Sequence, residues 1–72
     1  MLKAIALAAH PANKDASAEV VLDTRINGRA ALVFKVEQGF IPGYLGMTAP
    51  GYMPDPVTAL EWLEAYAAQE AA

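Results

Sequence analysis

The alternation of apolar and polar positions is sharpest between Ala18 and Glu37, AEVVLDTRINGRAALVFKVE. Residues 18–26 and 29–37 read as two strands joined at Asn27-Gly28, because Asn-Gly between apolar-rich runs is the strongest short-range hairpin signal. The apolar rows Ala18, Val20, Leu22 and Ala30, Leu32, Phe34, Val36 are all even-numbered. A two-residue loop pairs Ile26 with Arg29 and sets even positions against odd ones. The two rows then fall on opposite faces, since side chains alternate with period two. A three-residue loop, Ile26-Asn27-Gly28, brings them back together, with Gly28 in the left-handed conformation of a G1 bulge. On that register Leu22 faces Leu32, Val20 faces Phe34 and Ala18 faces Val36. Glu19 opposes Lys35 on the outer face, a favourable pair worth at most roughly 1 kcal/mol, while Arg25 opposes Arg29. Val21 and Val33 meet in the centre of the outer face, either as two exposed valines or as a second contact surface.

A helical period follows at residues 56–70. Asp55 fits the N-cap and Pro56 the first helical position, where a missing N–H costs nothing. Ala59, Leu60, Leu63, Tyr66 and Ala67 share one face of the wheel, with Trp62 at its margin. That stripe is expected to pack on the even-numbered face of the hairpin, leaving Glu61 and Glu64 outside. Glu70 and the terminal carboxylate sit at the unfavourable end of the helix dipole, so the last turn is expected to fray.

The remaining stretches are less regular. Residues 1–9, MLKAIALAA, suit a helix by propensity, but a lone hairpin needs a third strand, which favours a short strand here. Residues 10–17, HPANKDAS, form a polar connector broken at His10-Pro11. Residues 39–54, GFIPGYLGMTAPGYMP, hold four of the five glycines and three of the five prolines. Pro-Gly-Tyr occurs twice in that stretch, at 42–44 and 50–52, and suits two successive type II turns, with a short strand possible at 44–48. Aromatic and Met residues argue against disorder, and a loop of this length tends to be functional. Its side chains either fold back on the hairpin or present Tyr44, Met47, Tyr52 and Met53 to a partner, as Tyr and Met are enriched in interface cores. The expected fold class is α+β: a small antiparallel sheet in one domain, covered by one C-terminal helix.

Composition adjusts this picture in three ways. A 72-residue core is marginal, so help from oligomerisation or a bound partner is plausible. The absence of cysteine rules out disulfides and thiolate sites and suits a reducing cytoplasm. No signal peptide or membrane span is expected. Charge is asymmetric: no Lys or Arg follows Lys35, so residues 1–35 carry +2 and residues 36–72 carry −5. An acidic half argues against a phosphate backbone as ligand and permits a basic protein surface.

Candidate chemistry is sparse. His10, the single histidine, is expected at the surface, and no metal, cofactor or catalytic set is expected from this sequence. Ser17 lacks an identifiable base. The sequence therefore points away from an enzyme and towards a protein-binding module, a small cytoplasmic regulator or inhibitor that occludes a partner's surface. Its expected contacts are Tyr44, Met47, Tyr52, Met53, Glu61 and Glu64. In its Ala-rich, cysteine-free style the chain is similar to small accessory proteins of bacteria and phages such as anti-CRISPR inhibitors. The order hairpin, Pro-Gly turn, then a helix at Asp55-Pro56…Ala59-Leu60 resembles that of HicB-type antitoxins over about half the chain, which implies nucleic acid at Arg25, Arg29 and Lys35. A third reading is self-assembly, as a homodimer, through Val21 and Val33 or an open sheet edge.

Overall fold

A computed structural model describes residues 2–14 and 17–71. Met1, Asp15, Ala16 and Ala72 lie outside the described residues, and with them the first residue of the expected N-terminal strand, part of the connector and the terminal carboxylate. The fold is a small α+β domain. Five strands, β1 (Ile5–Ala6), β2 (Glu19–Ile26), β3 (Arg29–Val36), β4 (Gly39–Tyr44) and β5 (Met47–Thr48), form an antiparallel sheet in the order β1-β5-β4-β3-β2. One helix, α1 (Pro56–Ala71), follows.

The hairpin forms, with a different turn from the one expected. Asn27 and Gly28 both have positive φ, 55° and 75°, as a two-residue type I′ turn requires, and Ile26 pairs with Arg29. The parity conflict is resolved further along β2 instead, five residues before Ile26. The ladder runs Arg25–Ala30, Asp23–Leu32, Leu22–Val33 and then Val20–Phe34 and Glu19–Lys35, so Val21 is the extra residue of a bulge. The expected pairs Glu19–Lys35 and Val20–Phe34 are present. Leu22 faces Val33 and not Leu32, and Arg29 faces Ile26 and not Arg25.

This exchange decides which face becomes the core. Ala31 and Val33 are fully buried with Ala59, Leu63, Tyr66 and Ala67 of α1, and Leu22 and Ile26 pack against them. The helix therefore covers even positions of β2 but odd positions of β3, correcting the expected even-numbered face. Small side chains on β3 let the alanines of α1 approach the sheet; Leu32 and Phe34 go to the other side. Val33 is thus a core residue, not half of an exposed valine pair.

The helix itself matches its pattern. Thr58 N–H donates to Asp55 Oδ1 at 2.7 Å, closing the N-cap and holding the Asp55 carboxyl below its usual pKa. Trp62 stacks on Tyr66 with ring centroids 4.8 Å apart, and Leu60 is half-buried.

Half of the stretch 39–54 is strand. Pro42-Gly43 lies inside β4, and neither Gly43 nor Gly51 has positive φ, so the two type II turns are not present. A proline fits this inner strand because of strand alternation. Phe40 exchanges both backbone bonds with Met53 on the side of β4 away from β3, and Tyr44 pairs with Met47 on that same side. Pro42, between them, turns its missing N–H to the side where β4 has no strand partner at that position. Gly39, at φ 147°, lets the Met53 carbonyl approach, since a Cβ there would stand 2.7 Å from that oxygen. Of the described residues 2–9, Ile5–Ala6 form the two-residue β1, followed by 3-10 turns at Leu7–Ala9 and Pro11–Lys14.

Candidate functional site

The helix covers one face of the sheet. The other face carries a smaller cluster of Ala12, Val36 and Ile41, with Leu7, Phe34 and Tyr52 packed against it. What covers it is the N-terminal segment, and His10 fixes that segment. Ala12 N–H donates to His10 Nδ1 at 3.0 Å, which leaves the ring proton on Nε2, 3.2 Å from the Gly51 carbonyl oxygen that accepts it. The ring also stands edge-on to Tyr52, centroids 5.0 Å apart. At 2% exposure His10 is a buried clasp, not the surface residue expected.

The clasp covers only part of the face. Beyond Leu7 a shallow cleft of about 210 Å³ opens, lined by Ala30, Leu32, Phe34, Gly43, Leu45 and Gly46. The Phe34 ring lies over Gly43, where a Cβ would come within 3.0 Å of it. Leu45 stands at the rim, 51% exposed, in the tight turn between β4 and β5 with φ 53°. A left-handed leucine costs of order 1 kcal/mol, and here the side chain gains little burial in return. Asp23 and Arg25, both exposed, continue this face across β2 to the edge of the sheet.

The residues expected to form one contact surface are not brought together. Tyr44 is 1% exposed, its hydroxyl donating to the Ile26 carbonyl and its ring edge-on to Tyr66, so it cannot offer its ring to a partner. Met47 and Met53 are half-buried against the helix-side core. Tyr52 lies half-buried on the opposite side of the sheet with His10. Glu61 and Glu64 are exposed on the outer face of α1. The sequence-based register turns Leu32 and Phe34, even positions of β3, inward; Leu45 escapes notice for a different reason, because the stretch 39–54 reads as two Pro-Gly turns presenting tyrosines. A two-residue Asn-Gly loop taken at face value would have turned Leu32 and Phe34 outward.

Among the described residues no group of three or more His, Asp or Glu side chains is placed to hold a metal ion, and no helix is long and apolar enough to cross a membrane. Burial and the neighbouring Glu70 carboxylate push the Tyr66 hydroxyl above its usual pKa, but it stacks within the core and faces no cleft of its own. No protein-family model, curated protein or solved structure matches the chain.

Proposed function

We propose that this chain is a non-enzymatic protein-binding module that occludes a partner's surface, using the half-covered face of its sheet. The observation that carries the reading is Leu45. It combines an unfavourable backbone conformation with an exposed apolar side chain, beside a cleft whose other walls are apolar. Neither feature benefits the isolated fold, and both are expected of a residue whose burial is completed by another molecule. The partner contributes an apolar side chain to the cleft. The acidic outer face of α1, on the other side of the sheet, suits a basic region of the same or a second partner.

Leu45→Asn separates binding from folding. Asn-Gly is favoured in a type I′ turn, so the variant should be at least as stable as the wild type. Affinity capture from a nuclease-treated bacterial lysate should yield one stoichiometric protein with the wild type and lose it with Leu45→Asn. Equal capture by both would refute the assigned surface. A catch that disappears on nuclease treatment would favour nucleic acid as the ligand.

A further inference from the structure

The sheet has two unlike edges. β1 is two residues long and offers little to pair with, whereas β2 runs eight residues along an open edge. Strand alternation tells which backbone groups of β2 point outward. Ile26 and Arg29 flank a two-residue turn and exchange both of their bonds. Thr24 and Leu22 therefore also bond to β3, while Asp23 and Arg25 aim their N–H and C=O groups at the empty edge. The bulge at Val21 ends this regular stretch, so the pairing segment is Leu22–Ile26.

We propose that the partner of this edge is a second copy of the chain, paired antiparallel about a two-fold axis at Thr24. In that register Asp23 of each copy lies opposite Arg25 of the other, and their outward backbone groups form the hydrogen-bonded pairs. On the helix side of the sheet Leu22 lies opposite Ile26, again twice. The strand is complementary to itself in charge on one face and in apolar character on the other. Neighbouring registers lack this property. Sliding to centre on Asp23 sets that carboxylate against its own copy, and centring on Arg25 sets guanidinium against guanidinium, each unfavourable. The partner's Asn27 turn falls beside Val21, which is 42% exposed in the single chain. The two sheets become one, with both helices on the same face and two copies of the apolar cleft on the other. This pairing uses the edge and not the cleft, so it stands or falls separately from the partner reading above.

Charge exchange tests it. Asp23→Arg places arginines opposite each other in a homodimer, and Arg25→Asp places aspartates there. Mixing the two variants restores an attractive pair at both positions. Sedimentation velocity on the full chain should give twice the 7.6 kDa mass for wild type and the single-chain mass for each variant alone. The equimolar mixture should return to the doubled mass. Circular dichroism checks that each variant is folded, and Asp23→Lys with Arg25→Glu repeats the exchange should either first variant unfold. A wild type that remains a single chain up to about 1 mM, with a dissociation constant weaker than millimolar, would overturn the proposal. Variants that dimerise as well as wild type, or a mixture that stays monomeric, would overturn it equally.

Discussion

His10→Ala should remove the clasp that holds the N-terminal segment on the sheet. The ring is 2% exposed, accepts from Ala12 N–H at 3.0 Å and donates to the Gly51 oxygen at 3.2 Å. Losing two hydrogen bonds costs about 1 kcal/mol each, and leaving the Ala12 N–H buried without a partner adds to that. Losing the edge-on contact with Tyr52 costs about 0.5–1.5 kcal/mol more. The expected total is about 2–4 kcal/mol, comparable to the roughly 3–5 kcal/mol that a single core of this size supplies. Two conservative variants divide the effect. Asn at position 10 places its Oδ1 where Nδ1 was and keeps the bond to Ala12 N–H in an Asx-type turn, while Gln reaches towards Gly51 and keeps the other. Each should recover about 1 kcal/mol relative to alanine, with urea denaturation as the assay and amide exchange at Ala12 as the local readout. A His10→Ala variant within about 0.5 kcal/mol of wild type would refute the clasp, since that is the range of a neutral surface substitution.

Three further outcomes are expected. Leu63→Ala, at a fully buried position under the sheet, should cost about 2–5 kcal/mol in thermal or urea denaturation. The Asp55 carboxylate is favoured in the folded state, so its contribution is present above the unfolded carboxyl pKa and is lost as pH falls through the lower folded value. Asp55→Asn, which caps without titrating, should flatten that acid limb in a pH series of melting curves. Thr48 is fully buried with its hydroxyl unpartnered among the described residues, so Thr48→Val should raise stability by about 1 kcal/mol.

The helix was legible in the sequence because its signals are local: Asp55 and Pro56 mark its start, and the spacing of Ala59, Leu63, Tyr66 and Ala67 marks its buried face. The hairpin strands were legible for the same reason. Their register was not, because a single-residue bulge can be placed anywhere along a strand without a local signature. Parity alone could not distinguish a bulge at Gly28 from one at Val21, and the type I′ preference of Asn-Gly decided for the latter. β4 was hidden by two Pro-Gly pairs that read as turns. Pro42 is tolerated there only because its neighbouring strand is interrupted, which is a property of the assembled sheet. His10 was read as exposed because its partners, Gly51 and Tyr52, are some forty residues away. The candidate surface reflects both misreadings: the three-residue loop turns Leu32 and Phe34 inward, and reading 39–54 as turns offers Tyr44 and Met47 to a partner, where the strands β4 and β5 bury them wholly or in part.

The orientation of β3 underlies both the core and the open face, and two substitutions at adjacent positions test it. Val33 is fully buried beneath α1, while Leu32 lines the cleft on the opposite side. Urea denaturation of Val33→Ser should show a loss of several kcal/mol, about 2–4, because a hydroxyl replaces packed methyl groups in the core. Leu32→Ser should cost about 1 kcal/mol or less. The reverse order, with Leu32→Ser unfolding the chain and Val33→Ser tolerated, would show that the even positions face the helix and would contradict the bulge at Val21, the cleft and the surface built on them.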